Sequence, residues 1–277
     1  MSLGKSKYID KVHSVKKRFL KMYRDNNAGH IGCSLSCTEI LVFLKLAWME
    51  ESDSLILSKG HAAAVLYSVL AECGTISDEE INSFYKNGTY LGAHPPANKI
   101  KGIPFATGSL GHGLSLSAGR ALASKIKREN RMFFCVTSDG ELDEGSIWEA
   151  ALFISHHKLN NIIWLIDRNN IQGFGRTEEV MALEPLQMKL ESFGFYVASA
   201  NGHSFDALSA AKDQCLSDGK AKSLPKVIIC NTIKGHCISY MENTIDWHYL
   251  PMNEENYARA CSDLDAEYER LGAKNEN

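Results

Sequence analysis

The segment MFFCVTSDGELDEGSIWEAALFISHHKLNNIIWLIDRNNIQ, residues 132–172, decides the fold. Within it, residues 132–137 (MFFCVT) and 161–166 (NIIWLI) are short apolar runs, the pattern of strands buried on both faces. Residues 145–157 between them read as a helix, and a strand, helix, strand order implies a parallel pair joined by a crossover. The alternation continues downstream, with strands predicted at 195–198 and 226–230 (KVIIC) and helices at 184–193 and 205–216. The expected fold class is α/β: a doubly wound, mainly parallel sheet with helices on both faces.

Upstream the texture is helical. Ile9, Val12, Val15, Phe19, Met22 and Tyr23 recur at the spacing of an amphipathic helix, and further helices are predicted over 38–48, 62–73, 78–86 and 113–127. All 277 residues are assigned to one domain, with an N-terminal helical layer over about 5–86 and a helical tail over about 253–271. In that tail Tyr257, Cys261, Leu264, Tyr268 and Leu271 form a single apolar stripe. Residues 87–113 stand apart, with six glycines, three prolines and two histidines. A loop of that length inside a compact domain is usually functional.

A net charge of -3, 44% hydrophobic and 23% charged residues describe a globular chain rather than a disordered one. No concentrated basic face points to nucleic acid. The apolar block at 40–48 is interrupted by Lys45 and falls short of the about 20 residues that span a bilayer, so no membrane association is expected. The lysine-rich first twenty residues lack a signal-peptide core, which makes a cytoplasmic location the expectation. Eight cysteines without a C-x-x-C pair read as reduced, mostly buried thiols.

In an open parallel sheet, ligands sit beyond the carboxyl ends of the strands. Two such ends carry chemistry, Ser138-Asp139-Gly140-Glu141 and Asp167-Arg168-Asn169-Asn170-Ile171. Asp139 and Asn169, 30 positions apart, suit two neighbouring strand ends facing one cleft. A carboxylate, an amide oxygen and a backbone carbonyl make a hard oxygen site for magnesium carrying a phosphate ligand. Gly140 permits close approach of backbone to a diphosphate. Taken alone, Asp-Gly and Asn-Asn equally well close turns.

Six segments occur in one order: Gly29-His30-Ile31-Gly32, Ser58-Lys59-Gly60-His61, Gly92-Ala93-His94-Pro95, Gly108-Ser109-Leu110-Gly111-His112-Gly113, SDGELDEG at 138–145 and DRNNIQ at 167–172. That order is found in the N-terminal half of transketolase, which the chain resembles from about residue 8 to about residue 250, ending on TIKGHCISYMENTIDWH at His248. It is most similar to split transketolases, in which the diphosphate-binding half is a separate polypeptide. The resemblance implies thiamine diphosphate with Mg2+ or another divalent ion as cofactors. It implies Asp139, Asn169 and the Ile171 carbonyl as metal ligands, with Asn169 also at the cofactor, His61 and Gly140 at the diphosphate, and Gly108 and Leu110 at the aminopyrimidine side. His30, His94 and His248 match the family's substrate-facing histidines, which handle hydroxyl protons of the sugars.

The resemblance further implies a partner. The carboxylate that activates the pyrimidine belongs, in this family, to the second half, so the chain is expected to need a separate C-terminal transketolase subunit, in a heterotetramer, to act on sugar-phosphate substrates. An exposed apolar patch is expected around 108–113. Ser138, His236, Cys237 and Tyr249 depart from the family pattern, the last three being expected near the mouth of the substrate channel, and His112 is expected near the cofactor. Glu144 resembles the acidic residue that the family places between paired active sites, or serves the dipole of the following helix. The leading function is ketol transfer by a two-chain transketolase. The alternatives are the equivalent subunit of a 2-oxoacid dehydrogenase or deoxyxylulose-phosphate synthase relative, and a non-catalytic paralogue with a purely binding role.

Overall fold

The computed structural model describes residues 3–217, 219 and 221–273. The amphipathic N-terminal stripe forms α1 (Lys5–Asp25), which buries Tyr8, Val12, Val15, Phe19 and Tyr23. After it, α2 (Ile31–Phe43) begins seven residues earlier than the predicted helix and runs into a single π turn, Leu44–Trp48. Every residue of α2 is buried, so it has no polar face and no amphipathic period to find. The stretch Ile31–Trp48 is as apolar as a membrane span, with a mean hydropathy of 1.5 over 18 residues, and exceeds the run singled out from the sequence; 78% of it is buried inside the protein, against α1 and its neighbours.

Next come β1 (Ser54–Leu57), α3 (Ala63–Glu72) and α4 (Asp78–Ile81). Nothing in the sequence marks β1, whose four residues are too few to show a period. A Ser77/Glu80 capping box starts α4, which closes within a turn, well short of the predicted residue 86, and Tyr85 then takes the left-handed backbone with φ 61°. Beyond the long loop lie α5 (His112–Ile126), β2 (Phe133–Ser138), α6 (Gly145–His156) and β3 (Ile162–Arg168). A two-residue-strand hairpin, β4 (Ile171–Gln172) and β5 (Gly175–Arg176), leads to α7 (Thr177–Val180) and α8 (Leu186–Ser192). The chain ends through β6 (Tyr196–Asn201), α9 (Phe205–Ser217), β7 (Lys226–Asn231) and α10 (Glu254–Ala273).

The main sheet has the order β1-β2-β3-β7-β6 and all its pairings are parallel. Side chains alternate between its faces. Phe134, Val136, Ile163, Leu165 and Ile228 join the core under α1, α2 and α3, whereas Phe133, Cys135, Ile162, Trp164 and Val227 join the core under α5, α6 and α8. On the first face α10 packs along α1, with Leu264 buried and the His13 and Tyr268 rings stacked 4.3 Å apart, so the C-terminal stripe covers its own fold. The chain enters the sheet through β1, β2 and β3 in one direction and returns through β6 and β7 in the other. The reversal between β3 and β7 marks where a ligand crevice opens.

A buried ion pair holds that crevice's floor. Asp167, near the end of β3, accepts hydrogen bonds from Lys59 Nζ and Thr232 Oγ1, and from Ser36 Oγ at 2.6 Å. Lys59 and Asp167 are both fully buried. One carboxylate thereby joins the end of β1, the body of α2 and the end of β7 to β3. Asp167→Ala leaves the ammonium buried without its counter-charge, and a loss of about 3–5 kcal/mol in urea unfolding is expected. The double replacement Lys59→Met/Asp167→Leu regains much of it. A loss for Asp167→Ala of about 1 kcal/mol or less, the scale of an exposed pair, would contradict this role.

Candidate functional site

At the carboxyl end of β2 the chain turns through a 3-10 helix, Gly140–Asp143, immediately after Asp139. Asp139 is fully buried. Its Oδ1 accepts from the Gly140 N–H at 2.9 Å, and its Oδ2 accepts from the Asn170 N–H at 2.7 Å, Thr177 Oγ1 at 3.1 Å and Arg168 Nη1 at 3.2 Å. Burial and then the neighbouring Asp167 push the Asp139 pKa up, against the pull of Arg168. Gly140 is needed here, because a Cβ would lie 2.9 Å from Gln172 Cβ. Glu141, also buried, anchors the opposite wall: Ser58 Oγ donates to its Oε1 at 2.5 Å, the Gly111 N–H to Oε1 at 2.9 Å and the Ser138 N–H to Oε2 at 3.0 Å.

Beyond β3, Asn169 Oδ1 accepts from the Ile171 N–H at 3.1 Å, and the Ile171 carbonyl accepts from Lys234 Nζ at 2.9 Å. A buried ammonium thus stands on a carbonyl beside the Asp139 and Asn169 oxygens, and the donor set is oxygen throughout. That set suits a hard divalent cation, which takes carboxylate, amide and carbonyl oxygen together. Burial lowers the Lys234 pKa, with Lys59 adding to the effect. Lys234 also lies 2.8 Å from His248 Nδ1. An ammonium only donates, so Nδ1 accepts and the imidazole proton of His248 sits on Nε2.

Four histidines surround the cavity. The His30 ring lies 5.4 Å from that of His61, 6.3 Å from that of His94 and 5.2 Å from that of His248, centroid to centroid. His30 takes a left-handed backbone with φ 72° at the start of α2, and its N–H donates to the His248 carbonyl at 3.1 Å. Burial, reinforced by the neighbouring imidazoles, holds the His30 pKa down at about 4 and also lowers that of His94. Gly108 lets the loop pass over His94, where a Cβ would meet the ring at 2.8 Å. The cavity so enclosed has a volume of about 270 Å³.

All ten residues singled out from the sequence, His30, His61, His94, Gly108, Leu110, Asp139, Gly140, Asn169, Ile171 and His248, line this one cavity. Lys59, Lys234, Cys33 and Phe174 line it as well and carried no assignment. Lys59 lies inside the quoted SKGH segment and Lys234 two residues before His236, but a lone lysine in sequence reads as a solvated side chain. Lys234 and His61 hold the Cys33 thiol well below its ordinary range, against burial, which opposes them.

Three expectations change. His112 is exposed at the start of α5 and does not line the cavity. The exposed apolar side chains at the cavity rim are not in 108–113 but are Phe174, 85% exposed, and Tyr249, 56% exposed, with Leu250 following it. Of the departures from the family pattern, Ser138 and Tyr249 line the cavity, whereas His236 faces a separate hollow of about 300 Å³ beside α1 and α10. There Lys16 Nζ lies 2.6 Å from Glu39 Oε1 and 3.4 Å from Cys237 Sγ, and the His203 and His236 rings stack at 3.5 Å. Ligand atoms of Glu39, His203 and His236 come within 4.8 Å of one another. The Ile233 N–H, however, donates to His203 Nε2 at 2.9 Å, which puts the proton on Nδ1, toward Glu39. The His203 lone pair is thereby used, and Lys16 already neutralises the carboxylate, so the group is an ion-pair network whose charge is met without a metal.

The sequence matches the family described as "Transketolase, thiamine diphosphate binding domain" over residues 16–271. It is 36% identical over 271 residues to the 6-deoxy-6-sulfo-D-fructose transketolase subunit SqwG of Clostridium sp. (strain MSTE9), covering 94% of this chain and 98% of that one. It is 35% identical over 269 residues to one of the named subunits of the apulose-4-phosphate transketolase of Phocaeicola vulgatus, covering 94% of each. The fold superimposes on transketolase from Leishmania mexicana with a TM-score of 0.82 at 20% identity, covering all of this chain and 46% of that one.

The depressed His30 pKa sets a pH dependence. An unfolded imidazole takes a proton as pH falls below 6.5, the folded one only near 4, so the fold loses stability as pH falls through that window. His30→Asn keeps a residue that tolerates the left-handed backbone and removes this share. Urea midpoints between these pH values are expected to fall more steeply in the wild type than in the variant. Equal slopes would contradict the assignment.

Proposed function

Given that the chain belongs to the transketolase family, over its thiamine diphosphate-binding domain, we propose that it is the cofactor-binding subunit of a two-chain transketolase. Its reaction moves a two-carbon ketol unit from a ketose phosphate to an aldose phosphate. In this reading a separate C-terminal, pyrimidine-binding subunit completes the enzyme as a heterotetramer and supplies the carboxylate that the cofactor's pyrimidine requires. Support comes from the relatives named as transketolase subunits, which the chain matches over 98% and 94% of their own length, whereas it spans less than half of the solved transketolase. The observation that carries the reading is the convergence of His30, His61, His94, His248 and the oxygens at Asp139, Asn169 and Ile171 on one cavity.

Thiamine diphosphate, when bound, supplies a nucleophilic carbon able to make and break carbon–carbon bonds. This chain's residues hold and orient. Asp139, Asn169 and the Ile171 carbonyl would ligate magnesium, whose charge offsets that of the diphosphate beside a carboxylate. His61 and the Gly140 N–H would take the diphosphate, and Gly108 and Leu110 the aminopyrimidine side through backbone groups. His30, whose pKa is held down at about 4, stays a neutral imidazole at neutral pH and would accept a hydrogen bond from a sugar hydroxyl. His248, with its proton on Nε2, would donate to a sugar oxygen, and His94 would face the acceptor.

A coupled ketol-transfer assay tests the function. The purified chain, saturated with thiamine diphosphate and magnesium, is expected to be inactive on a panel of ketose and aldose phosphates and to gain turnover on adding the pyrimidine-binding subunit. Robust turnover by the chain alone would overturn the two-chain reading. The division of roles is tested in that complex. Asp139→Ala should abolish magnesium-dependent tight binding of the cofactor in calorimetry, whereas His94→Ala should lower kcat by about 10²–10⁴ with cofactor affinity nearly intact. Loss of cofactor binding in both variants would show that the roles are wrongly divided.

A further inference from the structure

A third hollow, of about 620 Å³, opens at the amino-terminal end of the sheet, where β1 begins at Ser54 and β2 follows Arg131. The cofactor cavity lies at the opposite, carboxyl end of the same strands. Five cationic side chains line the hollow, Lys45, Lys99, Lys101, Arg120 and Arg131, against two carboxylates, Glu51 and Asp53. This is a local excess of positive charge on a chain whose net charge is -3.

The carboxylates leave most of that charge unmet. Asp53 is engaged with backbone, accepting from the Glu50 N–H and the Met132 N–H at 2.9 Å each. Glu51 is 90% exposed and lies 3.3 Å from Lys101. Among the described residues, Lys45 and Lys99 make no side-chain hydrogen bond or ion pair. Arg120 has no carboxylate partner there either, and donates through Nη1 to the neutral Ser54 Oγ. Its guanidinium lies over the Phe133 ring, 5.5 Å from the centroid, and the Arg131 guanidinium lies over the same ring at 5.7 Å. Arg131 donates to the Ser52 carbonyl at 2.6 Å, and its nearest carboxylate, Glu129, is 4.0 Å away. Both guanidinium groups therefore lie against one ring and line one hollow, and burial together with Arg131 lowers the Arg120 pKa.

We propose that this hollow binds a small phosphate-bearing anion between the guanidinium groups of Arg120 and Arg131. A multiply charged oxyanion relieves the repulsion between the two cations and accepts from two planar forks at once. The volume exceeds what a lone phosphate fills, leaving room for the body of a phosphorylated small molecule, and free phosphate satisfies the same recognition.

The test is isothermal titration of the full chain in magnesium-free buffer without thiamine diphosphate, whose own diphosphate would compete for the hollow. The probes are inorganic phosphate, ribose 5-phosphate and ribose. Saturable binding of both phosphate-bearing probes and none of ribose is expected. Arg120→Ala and Arg131→Ala should each weaken it about tenfold or more. Arg120→Lys should also weaken it, because a single ammonium cannot replace the fork. Tighter binding of ribose 5-phosphate than of inorganic phosphate, lost in Arg120→Ala, would support a phosphorylated metabolite as the ligand. Equal affinities would support free phosphate. The exposed-loop variant Lys99→Glu, which disturbs no packing, should weaken binding through charge alone and keeps the test open if an arginine variant fails to fold. Non-saturable heats, or equal affinity in the wild type and all of these variants, would overturn the proposal.

Discussion

The contact between Lys59 and Asp167 is the constraint on which the site depends. Both groups are fully buried, and the carboxylate reaches four elements at once through Lys59, Ser36, Thr232 and its own strand. Burial works against the ammonium, but Asp167 outweighs it and holds the Lys59 pKa above its ordinary value. Such a pair stabilises less than its Coulomb energy suggests, since both partners were first removed from water. What it secures is geometry. It holds the ends of β1, β3 and β7 together, and Ser138, paired in register with Asp167, places Asp139 beside the turn that carries Asn169 and Ile171.

Charge is arranged around this clasp so that both signs are ready for ligands. Lys234 stands on the Ile171 carbonyl and on His248, and Arg168 spans Asp139, Glu178 and Glu184. A diphosphate with its divalent ion brings opposite charges in one unit, and under the proposed function a floor of fixed cations and oxygens would accept such a unit with little reorganisation. Above the floor, desolvation of the partly buried His30 imidazole, and less so of the more exposed His94, disfavours their charged forms. The site thus separates a charged end from a nearly neutral, histidine-lined end.

What was legible in the sequence follows from what each element packs against. The strands β2, β3 and β7 are buried on both faces and announced themselves as apolar runs, and α1 has one buried stripe and was found by its period. The helix α2 is buried all round, so its first turns, with Gly32, Ser34 and Ser36, carried no period, although Ser36 turns out to hold Asp167. The strand β1 was too short to see, yet it delivers Lys59 and His61. Motif order, read by resemblance, picked out the histidines and the Asp139, Asn169 and Ile171 positions that the fold gathers on one cavity. It could not show that Lys59 and Lys234 are buried, because burial of a charge depends on partners far along the chain. For the same reason His236 and Cys237 were expected at the channel mouth, whereas the turn after β7 directs them behind α2, to Glu39 and Lys16.

Under the proposed function, cofactor and metal sit together at the ends of β2 and β3. The most direct measurement is anomalous diffraction from crystals grown with thiamine diphosphate and Mn2+ in place of magnesium. One strong manganese peak is expected, coordinated by oxygens of Asp139, Asn169 and Ile171, with diphosphate density between it and His61. A manganese peak at the Glu39, His203 and His236 cluster, or diphosphate density away from Gly140, would contradict this placement.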